Sequence, residues 1–407
     1  MRIGIEAQRI FRVKKGGMDV VAIELIRHLQ KIDKENEYII YTRRGDETTC
    51  VVNETDNFKI KYLNGLSYIG WEQWSLPRAA EKDRVDLLHC TSNTAPLCGK
   101  MPKIITIHDI IYLEDNPWPA NSNLYQKLGN LYRKLIVPHV VEKADKIITV
   151  SDFEKKNLKQ KLHLDGKKLD VVYNGVNPSF TNIKDKVILE DVRKKYGFPE
   201  QFILYLGNTE PRKNIRNLLR SYAILLEKEV NCPKLVITGI RKEFLFRILN
   251  EIQCQTLVDK IILPGYVDCQ DLPVIYNLSS FFIYPSFREG FGLPILESMA
   301  CGTAVITSNV SSMPEIAGKA ALLVDPFSPE DMAQAMRKYL SDEALKQYMI
   351  KAGNERFKEY TWENSAKKLL KIYKQVGEKQ ISLAYPDLYA AGKADVFRRD
   401  KAKQSSL

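Results

Sequence analysis

Two glutamates, Glu289 and Glu297, lie eight residues apart in the segment PSFREGFGLPILE (285–297). A carboxylate at the end of a strand can accept hydrogen bonds from several hydroxyl groups, and Glu289 is placed for that role. Glu297 lies about one turn inside the helix expected after the loop, too deep to cap it, so it can face a hydroxylated ligand such as a ribose. The pair therefore predicts a site for a polyhydroxylated ligand, although two solvated glutamates on an ordinary turn would fit the same pattern.

The same segment has the features of an anion site. The apolar run Phe281–Tyr284 before it predicts a strand, and Pro294 suits the first turn of a helix. Gly290 and Gly292 allow the backbone to approach a ligand closely. The free N–H groups and the dipole of the helix start favour negative charge there.

Two adjacent cations, Arg212 and Lys213, occupy a second loop of the same kind. The loop GNTEPRKN (207–214) lies between the apolar run Phe202–Leu206 and a helix predicted over Ile215–Glu229. Arginine can bind phosphate oxygens with a two-pronged hydrogen bond, and lysine acts as a point charge. The loop therefore predicts a diphosphate contact, whereas an exposed basic loop is the plainer alternative.

The first half of the chain contributes His108 and a glycine pair. His108 ends the apolar run that begins at Ile104, where it can bond a sugar hydroxyl or stabilise developing charge; a strand-end histidine bonded to nearby backbone is the alternative. Gly16 and Gly17, in KKGGM (14–18), allow close approach of a phosphate or sugar. This spacing is not the dinucleotide-binding fingerprint.

Several motifs are absent from the sequence. It contains no Asp-x-Asp, which removes the usual signal of a metal-bridged diphosphate, and none of the GxSxG, HExxH or GxxxxGK[ST] patterns. The seven cysteines have no zinc-ligand spacing. We therefore predict no metal and no cofactor, and expect the phosphates to be met by backbone amides and basic side chains.

Composition restricts the class of partner. The net charge of +11, from 61 basic and 50 acidic residues, favours anionic partners. Basic residues cluster at Arg12–Lys15, Lys155–Lys168 and Arg398–Lys403 but never alternate with aromatic residues as in a single-strand groove. We therefore expect no nucleic acid, and retain a phosphorylated ligand and an anionic membrane surface.

Localisation follows from what the sequence lacks. An odd, dispersed set of cysteines is typical of reduced thiols in a cytosol. The N-terminal MRIGIEAQRIF has no apolar core of a signal peptide, and no window of 18 apolar residues occurs. We expect a cytoplasmic protein, with peripheral contact to the inner face of the plasma membrane as a further expectation.

Apolar strand-like runs alternate with amphipathic stretches in both halves of the chain, which predicts βαβ units in two doubly wound parallel sheets. This alternation is interrupted around residues 173–200, and we place the interdomain linker in the polar stretch Pro178–Lys186. The predicted elements are Arg2–Ala7, Met18–Leu29, Tyr38–Tyr41, Val85–His89, Ile104–His108, Leu124–Glu142, Lys146–Val150, Phe202–Leu206, Ile215–Glu229, Lys234–Thr238, Lys242–Gln255, Ile261–Leu263, Phe281–Tyr284, Ala304–Thr307, Ala321–Val324, Pro329–Leu340, Asp342–Tyr360 and Glu363–Val376. Ligands of such sheets bind beyond the carboxyl ends of the strands, in the cleft between the domains.

Over nearly its whole length, the sequence resembles the retaining GT-B glycosyltransferases of family 4 (glycosyl transferases group 1), and among them bacterial mannosyl- and rhamnosyltransferases of polysaccharide synthesis. The two glutamates have the family's E-x7-E spacing. The matching pieces, in chain order, are Gly16-Gly17, His108-Asp109, VSDFEKKNL (150–158), YNGVN (173–177), LGNTEPRKN (206–214), LPGYV (263–267), PSFREGFGLPILESMACGTAVITSN (285–309) and PEIAGKAALLVDP (314–326).

The resemblance implies an α/β GT-B fold with two Rossmann-like domains facing a central cleft. It implies an acceptor-side domain over 1–180, a nucleotide-sugar-binding domain over 181–362, and a helix over 363–380 that returns to complete the first domain. The tail 381–407 has no counterpart, and is either disordered or a basic membrane contact.

The resemblance also implies residue roles. Glu297 would bind the ribose, Glu289 the donor sugar, and Arg212, Lys213 and the amides of 290–292 the diphosphate. The reacting sugar would lie near His108. Further donor contacts are implied for Gly16, Gly17, Asn208, Tyr266, Val267, Gly290, Phe291, Gly292 and Leu293. Asn208 stands where many relatives carry arginine, and we expect Arg212 to replace it.

The implied function is metal-independent hexosyl transfer, with retention, from GDP-mannose or a UDP-sugar to a glycan or lipid-linked acceptor in cell-surface polysaccharide and lipopolysaccharide synthesis. WEQWSLP (71–77) and the EPRKN loop resemble mannosyl- and rhamnosyl-transferring members. The alternatives are another GT-B activity, such as a nucleotide-sugar epimerase or a phosphorylase, and a non-catalytic nucleotide-sugar-binding protein.

Overall fold

Two parallel β-sheets, one from each half of the chain, organise the molecule. The computed structural model describes residues 1–12, 16–44, 52–65, 67–114, 124–229 and 231–384, and leaves out the side chains of 124–126 and 380–384. The strands are β1 Arg2–Glu6, β2 Glu37–Thr42, β3 Phe58–Tyr62, β4 Leu87–Cys90, β5 Lys103–Ile107, β6 Lys146–Thr149, β7 Leu169–Val171, β8 Phe202–Leu206, β9 Lys234–Thr238, β10 Ile261–Ile262, β11 Phe281–Tyr284, β12 Val305–Ser308 and β13 Leu322–Val324.

Each sheet is doubly wound. The first has the order β3-β2-β1-β4-β5-β6-β7 and the second β10-β9-β8-β11-β12-β13, and the paired strands run parallel throughout. The order reverses between β1 and β4 in the first sheet and between β8 and β11 in the second. In strands rich in β-branched residues, such as Lys103–Ile107, every residue is buried, as expected for strands covered by helices on both sides. The predicted α/β fold class is confirmed.

Helices cover both faces of the two sheets. They are α1 Gly17–Ile32, α2 Tyr68–Gly70, α3 Leu76–Lys82, α4 Leu124–Lys143, α5 Asp152–Lys161, α6 Lys186–Tyr196, α7 Ile215–Lys228, α8 Lys242–Glu251, α9 Leu272–Leu278, α10 Leu293–Ala300, α11 Met313–Ala317, α12 Pro329–Ser341, α13 Glu343–Arg356 and α14 Trp362–Ala384, with a π-turn at Trp71–Ser75 and 3₁₀ turns at Ile111–Leu113, Gly166–Lys168, Pro211–Lys213, Gln255–Lys260 and Phe357–Glu359. In α7 the buried positions recur with helical spacing, which packs one apolar face on the second sheet.

The last helix returns to the first sheet. Leu369, Tyr373 and Val376 of α14 are buried in one cluster with Ile3 and other residues of the first domain. The Tyr373 hydroxyl lies 2.6 Å from Nδ1 of His89 in β4. The side chains of α14 therefore complete the first core, although they follow the second domain in sequence.

The predicted interruption of secondary structure over 173–200 is partly wrong, because helix α6 spans 186–196. Asp185 caps this helix by accepting from the amides of Val187 and Ile188, and Gly197 ends it in the left-handed conformation. Val192 is its only fully buried residue, so its apolar period is weak in the sequence.

Several short elements were not predicted, namely strands β3 and β7 and helices α3, α5, α9 and α11. Other differences lie at element ends, since α8 ends at Glu251 before a 3₁₀ turn that begins at Gln255. Helix α14 extends to Ala384, beyond the predicted boundary of the tail. Lys14, Lys15 and 385–407, which include the cluster Arg398–Lys403, lie outside the described residues.

The two chain connections between the domains touch at Gly175. The amide of Val176 donates to the carbonyl of Tyr360 at 3.0 Å, and a methyl group at Gly175 would overlap the backbone of Trp362 and lie 2.6 Å from the carbonyl carbon of Thr361. We expect Gly175→Ala to cost about 1–3 kcal/mol of unfolding free energy, because rigid backbone cannot yield to the added atom.

Calorimetry or urea unfolding measures this loss. Gly166→Ala is the matched control, since a methyl group there meets only the end of the flexible Lys159 side chain at 4.0 Å. Equal stability of the two variants would contradict the assignment of Gly175 to a close backbone contact.

Candidate active site

The site lies at the point where the strand order of the second sheet reverses. The loops after β8 and β11 diverge from neighbouring strands there, which is where ligands bind in doubly wound sheets. The first loop forms the 3₁₀ turn Pro211–Lys213, and the amide of Phe287 donates to the carbonyl of Arg212 at 2.8 Å. The topology therefore brings the two predicted sequence motifs together.

Glu289 lies between the two predicted cations. Its carboxylate accepts from Nη1 of Arg212 at 2.7 Å and from Nζ of Lys213 at 2.7 Å. The ammonium group of Lys213 also donates to the hydroxyl of Tyr284 at 2.8 Å, and Glu210 pairs with Nε of Arg212 at 2.6 Å. We refer to Arg212, Lys213 and Glu289 as the charge cluster.

Burial and charge act in opposite directions in the charge cluster. Burial alone would raise the pKa of Glu289, but the charges of Lys213 and Arg212 outweigh it and lower this pKa to about 2. Burial lowers the pKa of Lys213, against the attraction of Glu289. Two partly or fully desolvated cations thus face one deeply buried carboxylate, and Glu210, the second acid on Arg212, is exposed. The charge cluster therefore contains one more cation than carboxylate, and Glu210 supplies the remaining negative charge from the surface.

The helix after the E-x7-E loop begins as predicted. Gly292 adopts a left-handed conformation at φ +108° immediately before α10, a backbone geometry that favours glycine. Glu297 lies on the fifth position of α10, and its carboxylate accepts from the hydroxyl of Tyr276 at 3.3 Å. Burial raises the pKa of Glu297 to about 7. Glu297 therefore stands apart from the charge cluster, with Tyr276 as its partner.

The first domain contributes His108 to the same place. Its Nε2 lies 2.9 Å from the carbonyl oxygen of Thr91, so Nε2 carries a hydrogen and Nδ1 of the neutral ring carries the lone pair. Burial lowers the pKa of His108, which favours this neutral form. The His108 carbonyl oxygen would overlap a side chain at Gly290, so the two loops meet closely.

The remaining predicted donor residues lie in four different environments. Gly16 and Gly17 form the start of α1, where the amide of Gly16 donates to Asp19 at 2.8 Å, and Asn208 accepts from the amide of Glu210 at 2.8 Å inside its own loop. Tyr266 is 72% exposed, whereas Val267 and Leu293 pack partly buried against the second core and Phe291 is buried in it.

Three supporting residues were not predicted from the sequence. Tyr284 holds Lys213, as described above. Ser311 donates to the carbonyl of Glu289 at 2.8 Å and accepts from its amide at 3.0 Å, and Ser312 donates to the same carbonyl at 3.0 Å. Both serines follow β12, so their place after a strand end in TSNVSS (307–312) is the signal that could have pointed to them.

Another buried carboxylate, Glu72, lies in the first domain. It lies in the π-turn of WEQWS and accepts from the hydroxyls of Tyr68 at 3.0 Å, Tyr132 at 2.5 Å and Thr94. Burial raises its pKa. The sequence showed this motif only as a resemblance, and the structure places it in a hydroxyl-bonded network on the first domain.

Within the part of the chain that the structure describes, no group of three or more His, Cys, Asp or Glu side chains is arranged to hold a metal ion. Over the same residues, we find no helix with the length and apolarity needed to cross a membrane.

Two doubly wound parallel domains that face each other across a cluster of buried charges have the architecture of the GT-B fold. Solved structures support this fold. Sucrose-phosphate synthase of Thermosynechococcus elongatus superposes with a TM-score of 0.71 at 22% identity, over 92% of this chain and 98% of its own. The Anabaena protein HepE, solved with UDP and glucose, gives 0.70 at 15% identity, over 92% of this chain and 100% of its own.

Sequence comparison gives the family. Residues 15–180 match the model of Glycosyltransferase Family 4, and residues 190–356 match that of Glycosyl transferases group 1. The O-antigen chain mannosyltransferase B of Escherichia coli is 32% identical over 275 residues, 67% of this chain and 70% of that protein. The chain therefore belongs to the family 4 glycosyltransferases of group 1. It acts in nucleotide-sugar glycosyl transfer of the kind used in polysaccharide synthesis.

The raised pKa of Glu297 predicts a pH-dependent cost to stability. The folded state holds the proton more tightly than the unfolded state between pH 4.5 and about 7, so this contribution is lost as pH rises through that window. Above the window the carboxylate is a partly buried charge. We expect Glu297→Gln to raise the melting temperature by about 3–6 °C at pH 8 but to leave it nearly unchanged at pH 4.5.

Thermal unfolding at both pH values measures the difference. Glu355→Gln, at an exposed ion pair with Lys358, is the control and should change neither value appreciably. The prediction is wrong if Glu297→Gln is destabilising at pH 8.

Proposed function

We propose that this chain is a metal-independent hexosyltransferase that moves a sugar, with retention, from GDP-mannose or a UDP-sugar to a glycan or lipid-linked acceptor at the cytoplasmic side of cell-surface polysaccharide synthesis. The observation that carries the proposal is the charge cluster at the point where the strand order of the second sheet reverses. The mannosyltransferase relative favours mannose as the sugar, and the UDP bound in HepE keeps UDP-sugars as the alternative.

The charge cluster suits the departure of a nucleoside diphosphate. Negative charge grows on the leaving group as the anomeric carbon becomes oxocarbenium-like, and pre-aligned cations stabilise it best because they need no reorganisation. A bound diphosphate takes up the charges of Arg212 and Lys213 that Glu289 now shares. The Glu289 carboxylate is then available to the hydroxyls of the sugar.

The other predicted roles follow from position. The N–H groups at the start of α10, including those of 290–292, add to the diphosphate site, and Glu297 accepts from the ribose. Nδ1 of His108 accepts from a hydroxyl of the reacting sugar, because Nε2 is occupied by Thr91. Gly16 and Gly17 at the start of α1 leave room for the ligand opposite these groups, since nothing lies within 4 Å of a methyl group at Gly17.

In this proposal, Arg212 and Lys213 neutralise the diphosphate, as a divalent ion does in metal-dependent transferases. Two observations support metal independence: the ion pairs of Glu289, at 2.7 Å to each cation, and the absence of Asp-x-Asp from the sequence. Retention without an enzyme nucleophile remains part of the proposal by family resemblance.

Removal of Lys213 tests the site. A thermal-shift screen of GDP- and UDP-sugars first selects the donor, since a ligand at 100 times its dissociation constant stabilises by about 2.7 kcal/mol. With that donor and a glycan acceptor, we expect Lys213→Ala and Arg212→Ala each to lower kcat about 10²–10³-fold, because each removes one preorganised group from the leaving diphosphate.

Lys358→Ala, at an exposed ion pair, is the control for loss of a lysine. The assignment fails if Lys213→Ala keeps near-normal turnover while folded. A chelator should leave turnover unchanged, and loss of activity that manganese restores would contradict metal independence.

We further propose that the first domain contacts an anionic membrane through helix α4. Leu128, Leu131 and Leu135 lie on one face of α4 and are 58%, 53% and 61% exposed. The exposed residues Lys127 and Lys134 flank them. Exposed leucines beside lysines are typical of helices that lie in a lipid–water interface.

Two more exposed apolar residues lie in a segment that contacts α4. Ile69 and Trp74 flank Gln73, which donates to the hydroxyl of Tyr132 in α4 at 2.8 Å. We call this set of apolar and basic side chains the α4 face. A lipid-linked acceptor would then meet the domain to which we assign acceptor binding.

Vesicle sedimentation tests the α4 face. We expect binding to anionic vesicles that weakens with salt, and a loss of about tenfold or more in Leu131→Glu, because a carboxylate neither inserts nor tolerates anionic lipid. Val187→Glu, at an exposed apolar residue of α6 in the second domain, is the control. Equal binding to neutral and anionic vesicles would contradict the proposal.

A further inference from the structure

Arg288 precedes Glu289 in the loop that follows β11, residues 285–292, which we call the donor loop. Its side chain, however, extends into the first domain. Its Nη2 donates to Glu114 at 2.7 Å, and its Nε lies 3.0 and 3.2 Å from the two oxygens of that carboxylate. Its Nη1 donates to Glu154 in the first turn of α5. The guanidinium carbon lies 4.8 Å from the ring centre of Phe153. One side chain of the second domain thus contacts two acids of the first.

These contacts are buried. Arg288 is 9% exposed and the Glu154 side chain is fully buried, with an Oε2 atom that has no hydrogen-bond partner among the described residues. Burial raises the pKa of Glu154 to about 7, against the lowering effect of Arg288. A carboxylate in this position is tolerated only while Arg288 is in place, because an isolated buried charge is costly.

The same guanidinium group also holds the backbone of the donor loop. Nη1 of Arg288 donates to the carbonyl of Glu289 at 2.8 Å, which Ser311 and Ser312 also contact. One residue further on, the hydroxyl of Ser151 in the first domain donates to the carbonyl of Gly290 at 2.7 Å. The two peptide units that flank Gly290 are therefore held partly by the first domain, directly through Ser151 and indirectly through the acids that orient Arg288.

A second contact fixes the approach of α5 to the same region. The carboxylate of Glu315, in the second domain, accepts from the amides of Asp152 and Phe153 at 2.8 and 2.9 Å. This carboxylate at the start of α5 keeps Glu154 in reach of Arg288. Separation of the domains would break the bonds of Arg288 to both acids, the Ser151 bond and the Glu315 bonds together.

We propose that Arg288 is a positioning residue that couples closure of the two domains to the placement of the Glu289 carboxylate. Arg288 itself contacts neither the diphosphate nor the sugar. With the domains apart, the loop loses the first-domain acids that orient Arg288. Once the diphosphate has taken over the two cations, Glu289 then keeps only the two serine bonds to its backbone. The inference rests on the proposed function, because it assigns the donor sugar to Glu289.

The test separates donor binding from transfer. We expect Arg288→Gln to bind donor within about threefold of the wild-type Kd, because Arg212 and Lys213 remain. We expect kcat for transfer to fall about 10²-fold, since misplacement of a catalytic group by about 1 Å has that effect. The ratio of donor hydrolysis to transfer should rise at least threefold, because an open cleft admits water.

A second variant guards against simple misfolding. Arg288→Gln leaves Glu154 buried without its cation, whereas Arg288→Gln combined with Glu154→Gln removes both charges and should recover the melting temperature but not the rate. Arg337→Gln, at the exposed pair with Glu229 inside the second domain, is the matched control.

The outcomes distinguish the inference from the proposed function. Wild-type protein that shows no transfer and no thermal shift with any nucleotide sugar overturns the proposed function. Wild-type protein that is active, with Arg288→Gln within threefold of its kcat, overturns only the role of Arg288. Recovery of the wild-type rate in the double variant also overturns it, because Arg288 would then serve only to neutralise Glu154.

Discussion

The buried pairing of Glu289 with Arg212 and Lys213 is the interaction on which the site depends. The carboxylate, whose pKa the two cations lower, bridges side chains that come from a different loop, and all three groups are largely withdrawn from water. Each group would be costly alone, so the arrangement is stable only as a unit. It also keeps the cations aligned in the absence of ligand, which is the preorganisation that the proposed diphosphate contact depends on.

The parallel sheets make this pairing possible. Glu289 and Lys213 are separated by 76 residues in sequence. They meet because β8 and β11 are neighbours whose following loops leave the sheet edge at the point where the strand order reverses. Serines after β12 then fix the backbone of Glu289, and Tyr284 at the end of β11 fixes Lys213. Neighbouring strand ends thus supply both the charged groups and their supports.

Local sequence patterns predicted much of the fold and the two loops that form the candidate site. Buried β-branched runs and strand-end motifs predicted both sheets, and glycine and proline at Gly292 and Pro294 marked the start of α10. The helix α6 was missed because it buries little of its surface, and short strands such as β7 have too few residues for a clear period. The contact between Arg212 and Glu289 could not be predicted, because it depends on how two loops from different strands are packed.

The contacts between the two domains could not be predicted from the sequence. The residues around Arg288 do not indicate whether its side chain faces the donor or extends to Glu114 and Glu154. Glu72 was likewise visible only as part of a motif, and its hydroxyl partners Tyr68, Thr94 and Tyr132 come from three separate segments. Side-chain partners far apart in sequence are set by the tertiary fold and not by local spacing.

The return of α14 to the first core has a consequence for biosynthesis. On the ribosome the chain emerges from its N-terminus, so the first sheet forms while Leu369, Tyr373 and Val376 have not yet been made. The second domain is continuous in sequence and can reach its full core before them, which reverses the usual order in which N-terminal domains are finished first. Until translation reaches α14, the apolar residues that α14 covers stay exposed, and exposed apolar surface is what makes partly folded chains prone to aggregation and dependent on chaperones.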